Sequence, residues 1–332
     1  MESGKILVIH QGAIGDLVLS LPAISALTKY FSNVSFHFMG YPDRLKLLLV
    51  EIDTVISIHW SGFSSLYTSK PDPPPGLKQY LEQFEKVVVF GTKGDEILVN
   101  SLKMIGVKEV LRIDSFPDQN MHVIDHQASI LSSVGIEVKD KNPRLFIRDE
   151  DERSAKEFLF HNDIKENDQL IFFHLGSGSI KKTWPTSHFT QLAKDLQDMV
   201  SIKIAVIQGP ADREQTQAFY THLNGVNTVK IDSLPLKTLA AILKLGNCFV
   251  GNDSGITHLS AAVGIPTVAL FGPTDPKVWG PRGEHVCILE GKAECSPCDQ
   301  KKLRACRRQK CLENINVGMV SHVVEGIMEE GY

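Results

Sequence analysis

The sequence lacks several features that define common functional classes. Its 332 residues contain no apolar run as long as the roughly 20 residues of a membrane-spanning helix. The first apolar run, residues 5–10, follows a short charged start without a signal-peptide cleavage site, so we expect a cytoplasmic protein. Basic residues are not in excess, and the formal net charge of −4 argues against a dedicated nucleic-acid-binding protein.

Cysteine is scarce, and four of the six cysteines are clustered: Cys295, Cys298, Cys306 and Cys311. In a reducing compartment such clustering favours metal ligation or free thiols over disulfides. The spacing C-x2-C-x7-C-x4-C suits a structural Zn²⁺ or Fe. Basic side chains surround the cluster, and we expect them to lower the pKa of the thiols. Free thiols or a redox-sensitive pair are the alternative.

Short apolar runs alternate with amphipathic stretches along the whole chain, which predicts parallel sheets covered by helices on both faces. The composition, 42% hydrophobic and 22% charged, is that of an ordinary globular protein. We predict strands at residues 5–9, 34–38, 54–58, 86–90 and 109–113, and at 170–174, 203–207, 228–231, 248–250 and 267–271. The two series predict an α/β protein of two Rossmann-like, doubly wound domains.

The predicted domains are residues 1–165 and 166–316, the second including the Cys-rich segment 295–311. Residues 317–332 are predicted to form a C-terminal helix that packs back on the first domain. The long irregular segment 59–76 is either functional or a plain insertion, and its composition does not decide between them.

The most informative motif is the run 251–258, Gly-Asn-Asp-Ser-Gly-Ile-Thr-His, which follows an apolar strand and opens a helix at Ser254. Such a turn directs backbone N–H groups and the positive end of a helix at one point, and this arrangement suits a phosphate. A second polar loop, residues 272–276, follows the next strand. Loops at the carboxyl ends of neighbouring strands are where open α/β sheets bind ligands.

Other junctions carry weaker signals. The first strand leads into Gly12 and Gly15, spaced G-x-x-G, so the dinucleotide fingerprint G-x-G-x-x-G is absent. Asp16 follows in the first turn of a helix, where it serves either as a cap or as a carboxylate at a cleft. The small residues 176–179 precede Lys182 without a Walker signature. Asp212 either contacts a ribose or base or caps a helix.

Together these motifs resemble glycosyltransferase family 9, the lipopolysaccharide heptosyltransferases. The resemblance is carried by Gly15-Asp16, by residues 182–185 (Lys-Thr-Trp-Pro), by residues 251–258, and by residues 271–276 (Phe-Gly-Pro-Thr-Asp-Pro). It implies a GT-B fold, in which two Rossmann-like domains face a central cleft. The N-terminal domain would hold the acceptor and the C-terminal domain the ADP-heptose donor.

The resemblance also implies residue roles. Asp16 matches the general base, and Gly12 and Gly15 fall on the acceptor side. The predicted donor-binding residues are Ser177, Lys182, Asp212, Asp253, Ser254, Gly255 and His258, of which Asp212 is displaced from the usual pattern. A sugar hydroxyl attacking an anomeric carbon needs a base such as Asp16, and the departing ADP needs donors such as Lys182. No cofactor is required for this inverting displacement.

The expected function is therefore transfer of a heptose from ADP-heptose to a sugar hydroxyl of the lipopolysaccharide inner core. The alternative is a GT-B enzyme with another donor or acceptor, including protein O-heptosylation or epimerase chemistry. A metal-binding interaction module is a third hypothesis, which the acidic charge disfavours. The basic residues between 301 and 310 predict a peripheral contact with the cytoplasmic face of the inner membrane, where a lipid-linked acceptor lies.

Overall fold

The structure is a computed structural model that describes residues 4–48, 52–117, 121–165, 167–197, 202–223 and 225–330. The chain divides into two compact units, Met1–Lys141 and Asn142–Tyr332. Each unit contains one parallel sheet with helices, as the alternating pattern predicted. None of the helices in the described residues is long and apolar enough to cross a membrane.

The first unit contains a five-stranded sheet in the order β3-β2-β1-β4-β5. Its strands are β1 (Lys5–His10), β2 (Ser35–Gly40), β3 (Thr54–Ser57), β4 (Lys86–Gly91) and β5 (Glu109–Asp114). Its helices are α1 (Ile14–Tyr30), α2 (Pro42–Leu45), α3 (Pro75–Leu81), α4 (Glu96–Met104) and α5 (Val123–Ser133). Short 3-10 helices form at Lys46–Leu48, Phe63–Tyr67 and Lys93–Asp95. Leu7, Val8 and Ile9 of β1 are fully buried, because helices cover both faces of the sheet.

The second unit contains a six-stranded sheet in the order β11-β10-β9-β6-β7-β8. Its strands are β6 (Gln169–His174), β7 (Ile202–Gln208), β8 (Thr228–Asp232), β9 (Cys248–Asn252), β10 (Thr267–Phe271) and β11 (Val286–Glu290). Its helices are α6 (Asp149–His161), α7 (Thr186–Gln197), α8 (Arg213–His222), α9 (Leu236–Lys244), α10 (Gly255–Val263), α11 (Pro276–Trp279), α12 (Gln300–Ala305), α13 (Lys310–Glu313) and α14 (Val317–Glu330). A 3-10 helix forms at Ile180–Lys182.

Both strand orders contain a point where the winding reverses. In the first sheet it lies between β1 and β4, and in the second between β6 and β9. Loops that leave such a point diverge to opposite faces of the sheet and open a crevice at the carboxyl ends of the strands. The crevice in the second unit is therefore bounded by the loops after His174 and after Asn252.

The segment before β6 belongs to the second unit, whereas the predicted boundary fell after residue 165. Helix α6 packs on α9. Lys237 Nζ lies 2.8 Å from Asp151 Oδ1, and Lys244 Nζ lies 2.9 Å from Glu152 Oε2. Leu159 of α6 is buried. The acidic first turn of α6 is thus paired with lysines of α9, which explains its charge without a metal.

The C-terminal helix α14 packs against α7. Val320, Val324 and Met328 are buried in the same apolar cluster as Phe189 of α7. This face therefore contributes to the core of the second unit. The packing of the helix on the first domain stays a prediction.

Candidate active site

The second unit holds its polar residues at the crevice between β6 and β9. Helix α10 begins there, with Ser254 as its N-cap in extended conformation. Ser254 Oγ accepts the N–H of Thr257 at 3.3 Å, and Thr257 Oγ1 donates to the backbone oxygen of Asn252. Both side chains are buried, so the hydrogen bonds that fix this first turn are shielded from solvent. The positive end of this nine-residue helix is a favourable position for an anion.

Lys182 and Asp253 form an ion pair beside that helix end. Lys182 Nζ lies 2.8 Å from Asp253 Oδ2, and their side chains are 27% and 10% exposed. Ser177 Oγ donates to the backbone oxygen of Asp253 at 2.5 Å. Two of the predicted donor-binding residues, Ser177 and Lys182, therefore contact a third, Asp253, although they lie far from it in sequence. The structure brings a cation, a carboxylate and a helix N-terminus together.

Asn252 is a residue that sequence reasoning missed. Its side chain is fully buried. Its Oδ1 accepts the backbone N–H of Trp184 at 2.7 Å, and its Nδ2 donates to the backbone oxygen of Leu175 at 2.9 Å. Asn252 therefore fixes both ends of the loop that carries Ser177 and Lys182. Its position inside the 251–258 motif was the available signal, but the partners become visible only in the fold.

Asp212 occupies a buried position after β7, and His174, a second residue that sequence reasoning missed, contacts it. Asp212 Oδ2 lies 2.9 Å from His174 Nε2 and accepts the N–H of Gly209 at 3.0 Å. Burial favours a higher pKa for this carboxyl, but the hydrogen bond and charge of His174 and the Gly209 N–H together hold its pKa below the usual value. The carboxylate of Asp212 therefore forms hydrogen bonds within the protein, to His174 and to Gly209.

The remaining predicted donor residues lie on α10. Gly255 is the first residue of the helix, and His258 follows one turn later with 5% of its surface exposed. The loop after β10 contains Asp275, whose Oδ1 accepts the N–H of Lys277 at 2.9 Å and caps the short helix α11.

In the first unit, Asp16 lies in the first turn of α1, immediately after β1. Its Oδ2 accepts the backbone N–H of Ala13 at 2.8 Å, so this carboxylate caps the helix. A Cβ on Gly12 would lie 2.6 Å from Asp16 Cβ and 2.8 Å from His10 Cε1, a space that only glycine fits. The predicted Gly12 and Asp16 are therefore in contact, and Gly15 lies beside Asp16 in the same turn.

Charged and aromatic groups surround this turn. Arg44 Nη1 donates to the backbone oxygen of Gly12 at 2.7 Å, and its guanidinium lies 4.1 Å from the ring centroid of Tyr41. The buried His10 lies with its Nε2 3.4 Å from Ser20 Oγ. Sequence reasoning missed Arg44, because its position beside Gly12 depends on the pairing of β1 with β2. It also gave no role to His10, although His10 ends the strand that leads into this turn.

The irregular segment 59–76 is an ordered part of the first unit. Phe63 is buried in its core, and the adjoining Tyr67 places its hydroxyl against Gln11 Nε2 and 3.2 Å from Asp95 Oδ1. Burial raises the pKa of Tyr67 to about 12, so the phenol remains protonated at neutral pH. The segment therefore delivers a hydroxyl to the loop after β1, which favours the functional alternative over a plain insertion.

The Cys-rich segment is bonded to two loops of the second unit. Cys298 N donates to Pro273 O at 2.7 Å, and Lys181 Nζ donates to Arg304 O. Just beyond the segment, Ile315 O accepts the Trp184 Nε1 proton at 2.8 Å. These bonds connect the C-terminal part of the unit to the loops after β10 and β6.

The four clustered thiols do not form a ligand set. Within the described residues no group of three or more His, Cys, Asp or Glu side chains is arranged to hold a metal ion. Cys298 Sγ donates to Cys295 O and Cys306 Sγ to Arg308 O, each at 3.3 Å. Burial, followed by neighbouring thiols, raises the pKa of Cys298. Burial also raises that of Cys311. The predicted lowering by basic neighbours is wrong for these two thiols, because burial is the largest influence on each and the neighbouring thiols act in the same direction.

The sequence is similar to proteins of one known family. Residues 107–308 match the model of glycosyltransferase family 9 (heptosyltransferase). Lipooligosaccharide heptosyltransferase 2 of Campylobacter jejuni serotype O:2 is 29% identical, over 96% of this chain and 97% of the relative.

Two solved structures show the same fold. A family 9 glycosyltransferase of Veillonella parvula has a TM-score of 0.82 at 22% identity, covering 100% of this chain and 99% of the other. The ADP-heptose lipopolysaccharide heptosyltransferase II of E. coli has a TM-score of 0.75 at 16% identity, covering 98% and 99%. Since the family model matches more than half of its residues, the chain belongs to glycosyltransferase family 9.

Proposed function

We propose that the protein transfers a heptose from ADP-heptose to a sugar hydroxyl of the lipopolysaccharide inner core, with inversion at the anomeric carbon. The observation that carries this proposal is the convergence of Lys182, Asp253 and the N-terminus of α10 at the crevice of the second sheet. That combination suits a diphosphate attached to a sugar, since it offers charge and backbone donors together. The heptosyltransferase relatives support the choice of sugar.

The proposed donor site assigns a task to each group. The first-turn N–H groups of α10, beginning at Gly255, and the Lys182 ammonium bind the diphosphate. The Asp253 carboxylate accepts hydrogen bonds from hydroxyl groups of the heptose. Ser177 Oγ holds the backbone of Asp253 in place by donating to its carbonyl oxygen at 2.5 Å. His258, buried one turn into α10, lines the same helix end. Carboxylates and fixed N–H groups of this kind recognise hydroxyls and phosphates respectively.

The proposed catalytic base is Asp16. One oxygen of its carboxylate accepts the Ala13 N–H, which fixes the side chain without neutralising it. Gly12 lets the loop after β1 pack directly against Asp16, because a larger side chain would clash with that carboxylate and with His10. We propose that an acceptor sugar lies against this loop, with Gly12 and Gly15 on the acceptor side. The positive end of α1 favours the ionised carboxylate, which is the form that accepts a proton.

The reaction is then a single displacement. The acceptor oxygen forms a bond to the anomeric carbon as its proton passes to Asp16, and the bond from that carbon to the β-phosphate oxygen breaks. The electron pair of the broken bond leaves on ADP. Lys182 and the α10 N-terminus stabilise this developing charge, because they are oriented before the reaction starts.

The decisive experiment measures ADP release from ADP-L-glycero-β-D-manno-heptose, with and without a heptose-deficient lipopolysaccharide acceptor. We expect acceptor-dependent release that falls at least about a hundredfold in Asp16→Ala, since a general base contributes that much, with ADP affinity unchanged. Asp149→Ala is the matched control, because it removes an exposed first-turn carboxylate from another helix.

Two outcomes would contradict the proposal. Normal turnover in Asp16→Ala would remove the base assignment. Absence of acceptor-dependent release, despite tight ADP binding, would retain the nucleotide site and direct the search to other donors or acceptors.

The four thiols of the Cys-rich segment raise the question of a bound metal. Four thiols suit soft metals, yet the side chains are not assembled around a common point here, so no step is assigned to a metal. Metal analysis of the purified protein decides whether Zn or Fe binds.

We also propose that the exposed Lys301, Lys302 and Arg307 attract anionic lipid. Unchanged partition onto anionic vesicles after charge reversal would exclude that contact.

A further inference from the structure

A buried histidine joins three loops at the carboxyl edge of the second sheet. His174 ends β6, its Nε2 lies 2.9 Å from Asp212 Oδ2 after β7, and its Nδ1 lies 3.1 Å from Ser254 Oγ after β9. The three residues are only 4%, 6% and 8% exposed. At this depth the protein itself must supply a donor and an acceptor for every polar contact.

The contact between His174 and Asp212 fixes one proton. The pKa of Asp212 is held below its usual value by His174 and by the Gly209 N–H, although burial alone would raise it. An ionised carboxylate only accepts hydrogen bonds. The proton between the two side chains therefore lies on His174 Nε2.

The hydroxyl groups of α10 continue this series of contacts. Thr257 Oγ1 donates to the backbone oxygen of Asn252, which is an acceptor, so Thr257 uses its single proton there. Ser254 Oγ accepts the N–H of Thr257 at 3.3 Å and lies 3.1 Å from His174 Nδ1, the ring nitrogen that faces away from Asp212. Ser254 is therefore held by His174 on one side and by the first turn of α10 on the other.

From these contacts we propose that Asp212 and His174 form a positioning pair that holds the N-cap of α10, and with it the first-turn N–H groups that bind the donor's diphosphate. The ring lies between Asp212 and Ser254, so its carboxylate partner is on the side away from the helix. The inference rests on the proposed function, because the diphosphate at α10 belongs to that proposal. His174 acts through Ser254 and does not touch the substrate.

The arrangement matters most as ADP departs. Negative charge then increases at the N-terminus of α10, and N–H groups that are already oriented stabilise that charge without first having to reorganise. Asp212 also packs against the loop that follows β6: a Cβ on Gly176 would lie 1.8 Å from Asp212 Oδ1. The carboxylate therefore serves the histidine and the loop, which assigns Asp212 a positioning role instead of a contact with the ribose.

The bonding of the ring is directly measurable. In protein labelled with ¹⁵N-histidine, we expect His174 Nε2 to carry the proton that bonds Asp212, with the signals assigned by their absence in His174→Gln. In Ser254→Ala the Nδ1 signal should shift because its partner is removed, and this change also assigns the signals if His174→Gln does not fold. An Nε2 without a proton in the wild type would overturn the inference.

The positioning role is tested with ADP and adenosine, which differ in the diphosphate. Asp212→Asn and Ser254→Ala should each weaken ADP binding by about tenfold while adenosine binding changes less than about twofold. Ser260→Ala is the matched control, because it removes another buried hydroxyl from the same helix, one that donates to Thr257 O. Equal weakening of ADP and adenosine, or unchanged ADP binding, would contradict the role.

These outcomes are separable from failure of the proposed function. ADP binding needs no acceptor, so the expected pattern in a protein that transfers no heptose would support the role of His174 and refute the transfer. A wild-type protein that binds no ADP would refute both.

Discussion

His10, at the end of β1, is buried, and this burial lowers the pKa of its imidazole to about 4. Nearby Arg44 acts in the same direction, while hydrogen bonding to the backbone of Asp16 opposes it. The ring is therefore neutral at neutral pH and serves as a packing partner for the turn that carries Asp16. It stabilises that turn only as long as it stays unprotonated.

This residue makes the stability of the first unit depend on pH. An unfolded histidine binds a proton near pH 6.5, but the folded one resists until about pH 4. Stability is therefore complete above pH 6.5 and is lost as the pH falls toward 4, by about 3 kcal/mol in total. Denaturant unfolding between pH 4 and 7.5 measures the slope, which should flatten in His10→Gln and persist in the exposed control His59→Gln. Equal slopes in all three proteins would exclude His10 as the cause.

Among the elements, α14 shows how a terminal helix contributes to a core. Val324 is fully buried against the cluster that includes Phe189 of α7, whereas Met319 of the same helix is 42% exposed. Val324→Ala should lower the free energy of unfolding of the second unit by about 2 kcal/mol, since it removes buried methyl groups. Met319→Ala should change it by less than about 0.5 kcal/mol. Thermal or denaturant unfolding of the two variants measures these changes. Equal losses of stability in Val324→Ala and Met319→Ala would mean that the helix does not pack on the core in solution.

The elements were also the level at which sequence reasoning worked best. All ten predicted strands form, because runs such as 170–173 and 268–271 are apolar and polar residues follow them. The strand β11 was not predicted, since its residues are only partly buried at the sheet edge and give a weak pattern. The contacts of His174 and Asn252 were not predictable, because they join residues far apart in sequence. Motifs located the candidate site, and tertiary packing determined its internal bonding.

At the scale of the whole molecule, the predicted donor residues all belong to the unit Asn142–Tyr332, and Asp16 belongs to Met1–Lys141. The sequence indicated two domains but placed the division after residue 165. The composition of 142–165 gave no sign that α6 pairs its acidic turn with lysines of α9. Such pairing depends on Lys237 and Lys244, which lie far along the chain.

The division predicts that nucleotide binding is a property of one unit. A fragment of residues 142–332 contains its own sheet and apolar core and should bind ADP within about threefold of the intact protein, corresponding to less than about 0.7 kcal/mol. The fragment 1–141 should not bind it. Calorimetry on both fragments tests this, with circular dichroism to verify folding. A folded 142–332 fragment without ADP affinity would show that the nucleotide needs residues of the first unit.

The ion pair between Lys182 and Asp253 has a consequence for the entropy of ligand capture. A free lysine side chain loses up to about 2 kcal/mol of rotamer freedom when it is immobilised. Lys182 Nζ is already held 2.8 Å from Asp253 Oδ2, and an ammonium with three protons keeps two for a phosphate after serving one carboxylate oxygen. The conformational entropy of the Lys182 side chain is thus lost during folding, and binding of a diphosphate does not have to compensate for that loss again.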